Sequence, residues 1–312
     1  MANIDSYQYT QLTEENVHHL IPLFEGVFGI TFTRDHLIAK FFTPVQGVCA
    51  QGHFAFFQGE PIAYHGCIPI LMEYRGEAEL SFQYGDAMTL PEHAGKGLFT
   101  KLGKLTDEIL PQLGAGFVWG FPNQNSEYGY VNKLQWKGEK RMKCFTIPVA
   151  TLPTEKIFRR TKVFEKQNQD RIRRKLSDSI LVNKPIQSVD TTRNVGVSRN
   201  LAYFDYKSYT SNFCVDVDGT AVWIKPVGGL LVGDMEVNSQ EQVLKTVEGL
   251  KRMAQKIGVD KVIIQVSEAN PIYNFLSIQY SSIDSWLIGY KNISSNFPLE
   301  TLDLTYGDLD TF

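Results

Sequence analysis

Two carboxylates and a pair of glycines are the residues of this sequence best placed to do chemistry. Asp86 is the one charged residue on a strand face otherwise made of Leu80, Phe82, Tyr84, Met88 and Leu90, and Glu79 opens the same stretch. A carboxylate on such a face can take a proton from an attacking nucleophile, or it can simply bond a neighbouring turn. For Glu79 the plain alternative is a solvated hairpin residue. His65, one strand earlier, reads as a satisfied, partly buried histidine, and His93 as an exposed turn residue. Pro91 ends the strand, because it has no N–H to give to a ladder. Gly95 and Gly97 then make a tight turn, and Leu98, Leu102, Leu105 and Ile109 follow at the spacing of an amphipathic helix. Strand, glycine turn and helix form a recurring phosphate site: the helix start presents unpaired N–H groups and partial positive charge, and glycine lets a ligand approach the backbone. Any αβ unit can also carry a glycine there. No metal-ligand spacing such as HExxH occurs, and no metal is expected.

The elements that must position these groups follow from pattern. Thr13 caps a helix with Glu14 and Glu15 in its first turn and Val17, Leu20, Ile21, Phe24 and Phe28 as its stripe. A second helix is predicted over 34–42. The period then changes to two over 53–57, 62–74 and 79–90, with turns at Gly59-Glu60 and Arg75-Gly76, which predicts an antiparallel meander. After the glycine turn and its helix come a buried strand over 117–121, a short helix over 125–134 and a strand over 135–145.

The bounds agree with a soluble globular protein. The chain has 312 residues, room for two domains, and a formal net charge of −3, which gives no bulk attraction to nucleic acid or anionic membrane. Cys49, Cys67, Cys144 and Cys214 lack CxxC spacing and read as reduced core thiols. The start, MANIDSYQYT, lacks the regions of a signal peptide, and no apolar run approaches a membrane span. A cytoplasmic location is expected.

In this order of elements the first ~150 residues resemble the GNAT acyltransferase superfamily. The segment GDAMTLPEHAGKGLFTKL is similar to that family's acyl-CoA motif, V-x-P-E-x-R-G-K-G-x-G, and FPNQNSEYGYVNKLQWK, about 30 residues on, resembles its downstream segment. The resemblance implies acetyl-CoA, or another acyl-CoA, as co-substrate and an amine of a small molecule, sugar or peptide as acceptor. It implies pantetheine against Met88, Thr89 and Leu90, pyrophosphate on Gly95, Lys96, Gly97 and Leu98, and Asn125 near the coenzyme. Backbone N–H groups of the strand would meet the thioester oxyanion. The family's acid tyrosine aligns with Val131, with Tyr130 one position before it. Asp86, Glu79 and Tyr130 are thus the candidate catalytic residues. Two positions depart from the pattern: Ala94 stands for the usual Arg or Gln, and Phe99 for a small residue.

Residues 151–196 change character. Lys156, Arg159, Arg160, Lys162, Lys166, Arg171, Arg173, Arg174 and Lys175 outnumber the acids, and a thin apolar seam makes this a basic helical connector, followed by a polar linker over 184–199. From 197 the pattern returns: strands over 213–217 and 220–225 joined at Asp218-Gly219, a strand over 229–237, a helix capped by Ser239, a strand over 261–266, a helix opened by Pro271 and a strand over 286–290. No GxG follows its third strand. The expectation is an α/β protein with mixed sheets and a duplicated GNAT-like fold: 1–150 binding acyl-CoA, 151–196 connecting, and 197–312 a degenerate second domain. Two lobes and a basic strip also resemble the Fem-type aminoacyl-tRNA-dependent transferases. A non-catalytic acyl-CoA-binding module is the reading that Ala94, Phe99 and Val131 favour.

Overall fold

The computed structural model describes residues 6–160, 165–182 and 184–312. It divides into two units, 1–140 with 286–299, and 141–285 with 300–312.

In unit 1 the chain opens with β1 (Gln8–Gln11), then α1 (Leu20–Phe28) and α2 (Arg34–Phe41). Thr33 caps α2 by accepting from the His36 N–H. The alternating stretches form β2 (Gln51–Phe57), β3 (Glu60–Tyr74) and β4 (Glu77–Thr89), an antiparallel meander as their period of two requires. Then come α3 (Leu98–Asp107), β5 (Phe117–Gly120) and a π-helical turn over Gly129–Lys133. β5 runs parallel to β4, and α3 makes the crossover between them. Leu98 and Leu102 of α3 pack with Ala55, Ile62 and Ala63, while Phe82, Tyr84, Val118, Tyr130 and Trp136 form a second cluster.

Unit 2 begins with β6 (Arg141–Pro148), α4 (Thr154–Arg160), α5 (Glu165–Leu176), β7 (Ile180–Leu181), β8 (Gly196–Val197) and α6 (Leu201–Lys207). The hairpin β9 (Phe213–Val217) and β10 (Thr220–Pro226), then β11 (Leu230–Met235), α7 (Gln240–Ile257), β12 (Lys261–Val266), α8 (Pro271–Leu276) and β13 (Ser282–Leu287) follow. Ser239 caps α7 by accepting from the Gln242 N–H. The sheet runs β13-β6-β12-β11-β10-β9-β7, and β11 and β12 are parallel with α7 between them in sequence. β9 to β12 therefore repeat the order of β2 to β5, and the mixed α/β fold is duplicated. Val222, Ile224, Leu230, Val232, Val243, Val247, Leu250, Val262 and Ile264 form its core.

The chain then returns to unit 1 as β14 (Gly289–Asn292), which pairs antiparallel with β5, Gly289 against Gly120 through Asn292 against Phe117. The unit 1 strands lie in the order β1-β2-β3-β4-β5-β14. This differs from the expectation of a strand over 135–145 closing the first half and a boundary at 150. Residues 141–148 pair instead with β12 of unit 2, and a strand from near the chain's end takes the place beside β5. Both choices are long-range pairings that no local period encodes.

The stretch 151–196 is likewise part of unit 2 and not a free connector. Ile172 and Leu176 of α5 enter the core. Arg171 donates from Nη2 to the Ile257 carbonyl at 3.0 Å and Lys175 from Nζ to that of Lys256 at 2.6 Å, so both serve the C-terminus of α7. Lys162, Val163 and Phe164 lie outside the described residues. Of the cysteines, Cys67 is buried and the other three are half-buried; none is in a disulfide. No helix among the described residues is long and apolar enough to cross a membrane.

Candidate active site

The site follows from the way β4 leaves its two neighbours. Against β5 it pairs from Ser81↔Phe117 to Tyr84↔Gly120 and no further, so residues 85–89 continue past the end of β5. Against β3 the register shifts: Tyr64 faces Met88 and Gly66 faces Gly85, which leaves Asp86 and Ala87 opposite His65 alone. This is a β-bulge, with the strand bent at the point where it parts from β5. Asp86 adopts the left-handed conformation, φ +54, which Asp tolerates better than most residues.

The bulge also decides which amides face the opening. The Leu90 N–H donates to the Ile62 carbonyl at 2.9 Å. In an antiparallel ladder successive residues point alternately toward and away from the partner strand. Met88 therefore turns its N–H to β3 like Leu90, and Thr89 turns its own away from β3, toward the opening beside β5. Of the three strand residues expected along a coenzyme, only Thr89 turns its N–H toward the opening; Met88 is buried and Leu90 half-buried.

The glycine turn follows β4 in the chain. Gly95 and Gly97 have φ +73 and +78, a conformation glycine adopts freely, and nothing lies within 4 Å of a Cβ added at Gly95. Gly97 is the N-cap of the 10-residue α3 and no side chain caps that helix, so its first amides carry no side-chain partner. Lys96 folds back, Nζ donating to the Glu92 carbonyl at 2.8 Å. Ala94 is exposed.

Phe99 points inward. Its ring lies 4.6 Å from that of His65 and 5.0 Å, edge-on, from that of Tyr130, and a Cβ on Gly129 would come within 2.5 Å of it. The bulky residue thus packs under the π-helical turn. Tyr130 is buried among Tyr84, Phe99 and Trp136, and its hydroxyl is hydrogen-bonded to His65 Nε2 at 2.8 Å. Tyr84 is also the last β4 residue paired with β5. His65 is fully buried, and burial pulls its pKa down to about 3, with the Phe99 backbone acting weakly the other way. At neutral pH it is an uncharged imidazole.

The remaining expected residues are placed as follows. Asp86 is ion-paired with Lys40 of α2, Oδ2 to Nζ 2.5 Å, both side chains buried. Glu79 lies at the far end of β4 facing Met72, six residues before Gly85 and so ~20 Å along the strand from the bulge. Its Oε1 is tucked against Gly116. Asn125 is exposed in the turn before the π-helix; Asn123 organises that turn, its Oδ1 accepting from the N–H groups of Asn125 and Ser126. The structure thus sets Asp86 and Thr89 at the end of β4, with Gly95, Gly97 and Leu98 in the turn that follows, packs Tyr130 against His65 and Tyr84, and leaves Glu79 apart.

Sequence reasoning missed Lys40 and the pairing of His65 with Tyr130. For Lys40 a signal existed: Leu37, Lys40 and Phe41 share the buried face of α2, and a lysine there needs a buried partner.

Residues 8–137 match the family model of the Acetyltransferase (GNAT) domain. The chain is similar in structure to a GCN5-related N-acetyltransferase from Kribbella flavida, at 12% identity, covering 94% of this chain and 73% of that one, TM-score 0.57. It is similar to one from Anabaena variabilis at 14% identity, 91% and 71% coverage, TM-score 0.54. It also resembles the N-myristoyltransferase of Saccharomyces cerevisiae solved with myristoyl-CoA, at 10% identity, 93% and 83% coverage, TM-score 0.58. At such identities the likeness is one of fold. No curated protein matches the chain in sequence. The family match thus covers residues 8–137, and the chain has the acyl-CoA N-acyltransferase fold.

Proposed function

We propose that the protein transfers an acyl group, acetyl in the simplest case, from acyl-CoA to an amine by direct attack. The observation that carries this reading is the parting of β4 from β5 just before a glycine turn whose helix has no side-chain cap. Pyrophosphate would lie on the amides of Gly95 to Leu98, held by backbone donors and the helix dipole in place of the missing guanidinium at Ala94. Pantetheine would run along Thr89, and Asn125 would flank it. Acetyl-CoA is a co-substrate, and no step requires a metal.

In the reaction the neutral amine attacks the thioester carbonyl carbon, the C–S bond breaks, the amine proton leaves to solvent and the thiolate takes a proton. The Thr89 N–H is the donor for the oxygen as it gains charge. Tyr130 is the acid for the sulfur, and the uncharged His65 fixes its hydroxyl. Asp86 is a poor base, because its carboxylate already holds an ammonium. Glu79 has no part in this scheme. The acceptor is a small molecule, a sugar amine or a peptide amine, and the setting is cytoplasmic.

Thiol release from acetyl-CoA across a panel of primary amines tests the proposal. Amine-dependent release, with a matching acetylated product by mass, is expected, and coenzyme binding without release for any amine would favour the non-catalytic binding module. Transfer from aminoacyl-tRNA is the weaker reading, since Arg171 and Lys175 of the basic stretch are spent on the end of α7.

A further inference from the structure

The tail of unit 2 holds a buried carboxyl that the scheme above does not use. Residues 303–312 lie against the end of β11, whose pairing with β12 stops at Val232↔Ile264. The Ser267 N–H donates to the Leu304 carbonyl and the Asp303 N–H to that of Val195, both at 2.9 Å. Further along, side chains hold the backbone: Lys207 donates to the Leu309 carbonyl, Tyr209 to that of Asp310, Lys225 to that of Thr311 and Thr210 to that of Phe312. The Phe312 ring stands edge-on to Trp223, 4.8 Å between centres, and a Cβ on Gly233 would come within 2.6 Å of it.

Three carboxyls meet beneath this segment, and one guanidinium serves two of them. Arg199 uses all five of its N–H groups. Nε and Nη2 donate to Asp308 Oδ1 at 3.2 and 2.7 Å, and Nη2 also to Thr305 Oγ1 at 2.7 Å. Nη1 donates to Asp234 Oδ2 at 2.7 Å and to the Ile186 carbonyl at 3.3 Å. No donor remains for Asp303, whose exposure is 0%. Its Oδ1 accepts from Ser267 Oγ at 2.5 Å, and Oδ2 has no hydrogen-bond partner among the described residues. The groups that face this carboxyl are Asp234 from β11, Asp308 from the tail itself, and the uncharged Ser267 and Asn270 between β12 and α8. Arg199, from the segment before α6, is the cation of the cluster. An ionised Asp303 would be a buried charge with two like charges beside it, which favours the protonated form. Burial pushes its pKa up to about 7; Ser267 and Asn270 oppose the rise, and Asp234 and Asp308 add to it.

We propose that residues 303–312 form a proton-operated latch on unit 2, fastened while Asp303 keeps its proton and loosened when that carboxyl ionises. The inference does not depend on the acyl-CoA site. With the proton in place, Arg199 is shared by Asp234 and Asp308 and no further charge stands beside them. Loss of the proton adds a third carboxylate, which repels Asp308, the residue that fixes the turn over 306–308, and which gains water only if the tail lifts. Lifting uncovers the seat of Phe312 on Trp223 and Gly233. In the lifted tail the carboxyl has its ordinary value of 3.8. Below that value both forms are protonated and the latch is tightest. From there to about 7 the lifted form loses its proton first, and the latch slackens by about tenfold per pH unit. Above that range both forms are ionised and nothing further changes.

Hydrogen exchange of the full chain, read peptide by peptide by mass spectrometry and corrected for the intrinsic rate at each pH, tests this. For wild type the expected result is protection of 303–312 that falls about tenfold per pH unit from about pH 5 and levels off at about 7, while β12 keeps its protection. Asp303→Asn, which carries no charge at any pH, holds the tail's protection constant over that range. Ser267→Ala removes a donor that favours the ionised carboxyl, so the fall continues to higher pH than in wild type. It carries the test if Asp303→Asn does not fold. Wild-type protection that is the same at every pH would overturn the inference, and so would a fall in Asp303→Asn as steep as that of wild type. A fall in Ser267→Ala that ends where the wild type's ends would do the same, as would a fall shared equally by β12, which would report unfolding of the whole unit.

Discussion

His65 shows how much one buried side chain can say about a site. Its pKa, near 3 in the folded protein, lies below the ordinary 6.5 because burial penalises the cation. Above pH 6.5 both folded and unfolded states are neutral and its contribution to stability is complete. As pH falls from 6.5 toward 3 the unfolded chain takes the proton first, and stability is lost at about 1.4 kcal/mol per pH unit. Unfolding midpoints measured down this range should fall for wild type and fall less steeply for His65→Gln. Tyr130→Phe removes the hydroxyl that satisfies Nε2. It should cost about 1–3 kcal/mol of stability and, if Tyr130 is the acid, lower kcat with little change in KM for acetyl-CoA. Unchanged kcat would remove Tyr130 from the mechanism. The glycine turn and Asp86 were legible in the sequence because their types are unusual where they stand. The partner of Tyr130 was not, since His65 and Tyr130 meet only through the packing of β3, α3 and the π-helical turn.

At the level of elements, the meander and its crossover follow from a period of two changing to 3.6, and the lengths of β3 and β4 were read to within two residues at each end. The bulge was not, because a register shift leaves no mark on a pattern of apolar residues until the partner strand is known. It nevertheless decides which of Met88, Thr89 and Leu90 can present an amide. Unit 2 shows the other side of the same architecture. Its parallel strands pair only from Leu230↔Val262 to Val232↔Ile264, and beyond that point the tail fills the space. Thr305 bridges to Val266, and Phe312 lies against Gly233 and Trp223. Arg199 joins Asp234 and Asp308, each at 2.7 Å, beneath this tail. Asp303 beside them has its pKa raised to about 7 by burial, with Asp234 and Asp308 adding to the rise and Ser267 and Asn270 opposing it. Here the sign is opposite to that of His65. Below the ordinary value of 3.8 both states are protonated and the contribution is complete; as pH rises from there to about 7 it is lost, because the unfolded chain releases its proton first. Asp303→Asn should flatten this part of the stability profile. A profile unchanged by the substitution would show that Asp303 is not the group responsible.

For the whole molecule, duplication was readable from the repeated order of strands and helices, whereas the exchange of β6 and β14 between the two sheets was not. The basic stretch illustrates why charge counts mislead: α5 spends Arg171 and Lys175 on carbonyls of α7, leaving Arg173 and Arg174 exposed. Substituting Arg171, Arg173 and Arg174 with Ala should thus lower stability through the lost cap, with no tRNA binding to abolish at low salt; salt-sensitive tRNA binding in the wild type would revive the aminoacyl-transfer reading. The central claim is that the end of β4 and the turn at Gly95 to Leu98 hold acyl-CoA. Calorimetry with acetyl-CoA on wild type and on Gly97→Trp tests it most directly. The account predicts saturable binding by wild type and its loss in the variant, whose side chain would crowd the turn before α3; circular dichroism checks that the variant, strained at φ +78, still folds. Equal binding by both, or binding by neither, would contradict it.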